Sequence, residues 1–212
     1  MSELKNFIVY GVGRCGSHWV ESIIIDLCGG VSKSLPSGVN NLIHLLPTGW
    51  TVHTHDVDMI NCNNPIEVQE STWLILCYRE NKFEQAISYF VAQRTNEWFV
   101  YSDTEFTPFI VDPTEFEKIL KGLLLSYKAL PANNLPLLWP NFVEIKYEDL
   151  VNSEIPEKYM AECLGLTYKQ THGWAQHGSK KNPRNYQKLI LNWDKLLEIH
   201  EKICGIKTTV DQ

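Results

Sequence analysis

The feature that most constrains this chain is its opening, FIVYGVGRCGSHWV at residues 7–20: a short apolar run, a glycine-rich turn, then apolar residues at helical spacing. The run Phe7–Tyr10 reads as a buried strand. Trp19, Ile23, Ile24 and Leu27 recur at helical spacing, and Gly29-Gly30 ends the pattern. A strand feeding a helix through glycines begins a strand–helix–strand unit. Its turn presents backbone N–H groups and a helix N-terminus to one point in space, which is an anion-binding arrangement.

The rest of the chain repeats the alternation. Trp50–Thr54 (WTVHT) alternates and predicts a second strand. Trp73–Tyr78 (WLILCY) is the most apolar run and predicts a central parallel strand. Helical periodicity follows over Asn81–Arg94, and again over Pro113–Leu130 with Asp112 or Thr114 as cap. Phe142–Lys146 predicts another strand, Ile155–Leu164 a helix stopped by Gly165, and Gln187–Cys204 a final amphipathic helix. Residues 31–49 read as polar turns and 172–186 as a basic loop. The expected fold is therefore α/β: a three-layer, P-loop-type parallel sheet with helices on both faces, in one domain over residues 1–212. Ligands of such sheets bind beyond the carboxyl ends of the strands, here just after Tyr10, Thr54, Tyr78 and Lys146.

Composition removes several function classes. A chain of 212 residues can bury a core without disulfide or metal staples. Its charge of −6 argues against general nucleic-acid binding while leaving room for a local basic pocket. No stretch approaches the ~20 apolar residues of a membrane span. Cys15, Cys28, Cys62, Cys77, Cys163 and Cys204 show no CxxC spacing, and the first residues carry no export signal. The expectation is free thiols in a reducing, cytoplasmic compartment.

The turn GVGRCGSHW (11–19) fits two general patterns incompletely. Against GxxxxGK[ST], Gly11 and Gly16 keep the spacing, but Ser17 replaces the Lys that reaches the phosphates and His18 the hydroxyl that holds Mg²⁺. Against GxGxxG, Gly11, Gly13 and Gly16 match, but no acidic residue closes a second strand roughly 20 residues on. The cation stands inside the turn, at Arg14. This resembles the 5′-phosphosulfate loop of the sulfotransferases that use 3′-phosphoadenosine-5′-phosphosulfate (PAPS): Arg14, Gly16, Ser17 and Trp19 match, while Gly13 replaces the usual Pro and Cys15 the first Ser.

Three more segments carry the resemblance. Arg79 closes the WLILCY strand and Ser88 follows in the next helix, similar to that family's 3′-phosphate motif. The stretch QAIS…AQRTNEW (85–98) looks most like the bacterial trehalose and glycolipid branch. The strand FVEIK running into YEDL (147–150) is the third match, and puts Tyr147 beside the nucleotide. Looser is the basic segment HGSKKNPRNY (177–186), where Lys180, Lys181 and Arg184 supply charge for the 3′-phosphate.

The resemblance implies PAPS as sulfate donor, adenosine 3′,5′-bisphosphate (PAP) as product, no metal requirement, and a hydroxyl or amine of a small molecule or carbohydrate as acceptor. The cofactor set it implies is Gly13, Arg14, Cys15, Gly16, Ser17, His18, Trp19, Arg79, Ser88, Tyr147, Lys180, Lys181 and Arg184. The segment HTH (53–55) is similar to the Lys-Thr-His of the cytosolic branch, so His55 stands as general base and Arg14 as the catalytic cation. Glu21, Asp56 and Asp58 are alternative carboxylate bases. His53, His55, Asp56, Asp58 and Cys62 are also zinc-ligand types, but no partner cluster at structural spacing follows, and no metal site is expected. The aromatic stretch from Trp98 to Phe109 could wall the acceptor or belong to the core. A P-loop kinase and a non-catalytic nucleotide-binding protein of the same fold are the competing readings.

Overall fold

The computed structural model describes residues 5–28, 31–34, 49–55, 57, 60, 70–96, 107–130, 135–168 and 185–205. The chain divides into two compact units. The first comprises Met1–Glu80 and Leu130–Ser179, the second Asn81–Ala129 and Lys180–Gln212.

The first unit holds the sheet. Its strands are β1 (Asn6–Gly11), β2 (Val31–Ser34), β3 (Trp50–Thr54), β4 (Thr72–Tyr78) and β5 (Phe142–Lys146). Their order is β2-β3-β1-β4-β5, and every pairing is parallel. The strand β1, with β4 and β3 on either side, marks the topological switch point, and the crevice beyond its carboxyl end is where such a sheet takes a ligand. All the expected strands are present. One more, β2, lies in the segment expected to be turns. Its sequence VSKS has no apolar run, because it pairs only along one side as the edge of the sheet.

The period-two alternation of the strands sorts their side chains to two cores. Phe7, Val9, Ile75, Cys77 and Ile145 face one way, against Val20, Ile23 and Ile24 of helix α1 (Ser17–Cys28) and Met160 of a later helix, Pro156–Cys163. Ile8, Tyr10, Val52, Leu74 and Leu76 face the other, against Ile60, Leu135 and Trp139. Trp139 is fully buried, and its indole N–H donates to the Ile60 carbonyl at 3.2 Å. Both faces of the sheet are thus covered within this unit, which is why the central strands are apolar throughout.

In the second unit, α2 (Lys82–Thr95) and α3 (Pro113–Ala129) pack through Phe83, Ile87, Phe90, Phe116 and Leu120. Asn81 caps α2 by accepting from the Glu84 amide. Asp112, one of the two expected caps of α3, accepts from the amides of Thr114 and Glu115 at 2.7 and 3.0 Å. Phe109 packs against this core, while residues 97–106 of the aromatic stretch lie outside the described residues.

The first unit also contains α4 (Leu135–Leu138), α5 (Tyr147–Asn152) and α6 (Pro156–Cys163). Gly165 follows α6 in the left-handed region at φ 61°, the stop expected there. The single final helix expected over 187–204 is instead two helices in the second unit, α7 (Tyr186–Leu189) and α8 (Trp193–Cys204). The break has a specific cause. Phe109 exchanges backbone hydrogen bonds with Leu189 and Leu191, and the Asn192 amide bonds both the N–H and the C=O of Val111. These bonds hold Ile190 extended where a helix would have continued.

The five described cysteines form no disulfide. Cys62 lies outside the described residues. No helix among the described residues is long and apolar enough to cross a membrane.

Candidate functional site

The site grows from the loop after β1. Gly11 ends the strand so close to the returning loop that a side chain there would run into the Cys15 sulfur. Arg14 sits at φ 67°, a left-handed conformation that costs a non-glycine residue roughly 1–2 kcal/mol. Gly16 comes two residues later at φ 86°, and its carbonyl accepts from the amides of Trp19 and Val20, starting α1. The loop therefore passes through two left-handed residues directly before the N-terminus of a twelve-residue helix, where a positive end-dipole favours anions. Gly13 has open space where a side chain would stand, so the outer rim of the loop is accessible.

The expected cofactor residues take different roles in this loop. Cys15 is buried, with its thiol in the core, so only its backbone can face a ligand. Trp19 packs its ring against the same core. Ser17 is buried, and its hydroxyl lies 2.7 Å from His53 Nε2. His18 is exposed, and its Nδ1–H donates to the buried carboxylate of Glu21 at 3.2 Å.

Beyond β4 and β5, Tyr147 links the loop to Arg79. A Cβ on Gly16 would stand 2.7 Å from the Tyr147 ring, so the ring lies directly against the glycine. The Arg79 guanidinium lies over the same ring at 4.5 Å from its centre. Arg79 is 2% exposed, and its Nε is 3.9 Å from a Glu148 oxygen. Glu148 also accepts from the Glu80 amide with both oxygens at 3.1 Å, and Lys146 pairs with Glu80 at 2.5 Å. The YEDL segment does more than end a strand: its tyrosine is the platform for Arg79 and its glutamate anchors the turn that carries Arg79. Gly16, Tyr147 and Arg79 thus stack in series across the carboxyl ends of β1, β5 and β4.

This packing makes Gly16 a position with a large expected penalty. Gly16→Ala combines left-handed strain of roughly 1–2 kcal/mol with a clash against an aromatic ring, so a loss of about 2–4 kcal/mol is expected in urea unfolding. In a Tyr147→Ala background the clash part should vanish, leaving a smaller penalty. Equal penalties in both backgrounds would mean that the ring does not press on Gly16.

The third wall comes from β3. His53 and His55 are two residues apart, so the strand turns both rings to one side. His55 Nδ1–H donates to the Gly11 carbonyl, which fixes the tautomer and leaves Nε2 as a lone pair. Burial lowers the His55 pKa, the Gly11 bond opposes this, and His18 lowers it further. His53 is driven to about 2, first by burial and then by the neighbouring His18 and His55. His18, His53 and His55 form one cluster, with the His18–His53 and His53–His55 ring centres 3.7 and 4.6 Å apart. One ring nitrogen from each lies within 4.8 Å of the others. Sequence spacing pairs His53 with His55, but it gives no sign that His18, 35 residues earlier, completes the group.

A folded-state His53 that stays neutral makes stability depend on pH. Between pH 6.5 and about 2 the unfolded chain binds a proton here that the folded chain refuses, so stability falls as pH falls. The loss from this group is about 2 kcal/mol between pH 6.5 and 5. His53→Asn should flatten urea-unfolding stability against pH by that amount. An unchanged slope would remove His53 as the source.

Of the other expected residues, Ser88 is buried in α2, in the second unit. Lys180, Lys181, Arg184, Asp56, Asp58 and Cys62 lie outside the described residues.

No family model matches this chain, and neither does any curated protein. Among solved structures, the mouse sulfotransferase SULT7A1, determined in complex with PAP, matches 93% of this chain and 85% of its own length, with a TM-score of 0.52 and 13% sequence identity. At that identity the likeness is one of fold: this chain shares the sulfotransferase-type, three-layer α/β architecture built on a P-loop-like parallel sheet.

Proposed function

We propose that this protein is a sulfotransferase that moves the sulfuryl group of PAPS to a hydroxyl or amine of a small-molecule or carbohydrate acceptor. The observation that carries the reading is the series Arg14 loop, Gly16, Tyr147, Arg79: a glycine-rich anion loop and a buried arginine joined through one aromatic ring. The fold shared with a PAP-bound sulfotransferase supports it.

In this reading the amides of Gly13 to Ser17, the start of α1 and the Arg14 guanidinium hold the 5′-phosphosulfate. They stabilise charge on the 5′-phosphate as the bridging S–O bond breaks. The acceptor oxygen or nitrogen attacks sulfur in line and gives its proton to His55 Nε2, whose other nitrogen is held by Gly11. A sulfuryl group carries less charge than a phosphoryl group, so positioning and fixed dipoles suffice and no divalent ion takes part. Arg79 serves the 3′-phosphate, with Tyr147 against the nucleotide. For Ser88 and for Lys180, Lys181 and Arg184 a 3′-phosphate role rests on the order of the motifs in the sequence alone. We assign the activity to the cytoplasm, the reducing compartment that six cysteines without CxxC spacing point to.

The test is thermal unfolding with PAP against ATP–Mg²⁺. At 100 times its dissociation constant a ligand stabilises by about 2.7 kcal/mol, and PAP should do so where ATP–Mg²⁺ does not. Stabilisation by ATP–Mg²⁺ alone, with ATP turnover, would replace this reading by a kinase. PAP binding without transfer to any acceptor would replace it by a nucleotide-binding protein.

A further inference from the structure

Three histidines meeting beside an anion loop are more than a base needs. His18 comes from the first turn of α1, and His53 and His55 from the end of β3. One nitrogen of each lies within 4.8 Å of the others. A tetrahedral ion with bonds of about 2.05 Å needs its nitrogens about 3.4 Å apart, so the rings must draw in by little more than a side-chain rotation. His18 and His55 are exposed, while His53 is buried.

One nitrogen of each ring already has a partner. His55 Nδ1–H bonds the Gly11 carbonyl, His18 Nδ1–H bonds the Glu21 carboxylate, and His53 Nε2 lies on the Ser17 hydroxyl. Ligating histidines are held in this way, by a carbonyl, a carboxylate or a hydroxyl on the nitrogen away from the metal. The donor set of three imidazoles suits zinc-class ions rather than Mg²⁺ or Ca²⁺, which take oxygen. The exposed edges of His18 and His55 leave a fourth position open to water.

We propose that His18, His53 and His55 form a binding site for one zinc-class divalent ion, each offering one ring nitrogen. The site lies at the rim of the anion loop. An ion held there takes the lone pair that the base role of His55 requires. On the proposed function, zinc therefore inhibits transfer and a chelator restores it; this consequence alone rests on that reading.

The test is titration of the full chain with Co²⁺ and Zn²⁺, without donor or acceptor, so its result does not depend on any transfer assay. One equivalent of Co²⁺ should give visible d–d bands of a low-coordinate nitrogen site, without the ultraviolet charge-transfer band of a thiolate, and Zn²⁺ should displace it. His18→Ala and His55→Ala, each shown folded by thermal unfolding without metal, should each weaken Zn²⁺ binding by at least about 10²-fold. Glu21→Gln should weaken it by about 10-fold, the usual effect of losing a carboxylate behind a ligating histidine. A thiolate band, full-strength binding in both histidine variants, or no binding by the unaltered protein would each overturn the site.

Discussion

His55→Ala should lower the turnover of sulfuryl transfer by at least about 10²-fold while leaving PAP binding intact. The acceptor must lose a proton as its bond to sulfur forms, and His55 Nε2 is the lone pair that the Gly11 bond leaves in place. Burial and the neighbouring His18 lower the pKa of this ring. On the proposed function this ring is the base, neutral to a lower pH than an ordinary histidine, and the acid limb of kcat should fall below the usual value of about 6.5. Kinetics across pH with a saturating donor would check both points. Full turnover in His55→Ala would move the base role to Glu21 or to another carboxylate. An acid limb above about 6.5 would contradict a ring whose pKa burial has lowered.

Arg14→Ala should also cost at least about 10²-fold, and in a different way. On the proposed function its cation stabilises charge that develops on the leaving phosphate, so the loss falls on kcat more than on donor affinity. Alanine at φ 67° carries the same left-handed strain as arginine, so backbone strain is unchanged and the variant reads the loss of the guanidinium. That makes it a cleaner probe than a change at Gly16, where strain and the Tyr147 ring act together. Measured kcat, KM for the donor and thermal unfolding would separate these effects. An unchanged kcat would place Arg14 outside the transfer step.

The pairing of a neutral base with a three-histidine cluster has a consequence for how activity would be assayed. Preparations that differ in trace zinc would differ in apparent rate if the ion and the base compete for His55. Assays with and without chelator, run beside the Co²⁺ titration, connect the two without making either depend on the other.

The sequence by itself determined the elements whose signals are local. Apolar runs marked β1 and β4, whose side chains are buried almost throughout, alternation marked β3, and FVEIK was read as β5. Glycine spacing marked the turn after β1, where Gly16 takes a left-handed conformation. Edge strand β2 carried no such signal, and the break between α7 and α8 was invisible because Asn192 makes it by bonding Val111, 81 residues away. The tertiary structure alone decided which side chains meet. It put the Tyr147 ring between Gly16 and Arg79, paired Ser17 with His53, sent Cys15 and Trp19 into the core, and brought His18 to His53 and His55. The physical reason is that parallel strands gather their carboxyl ends along one edge whatever their separation in sequence. Proximity there follows from sheet order, which no local pattern encodes.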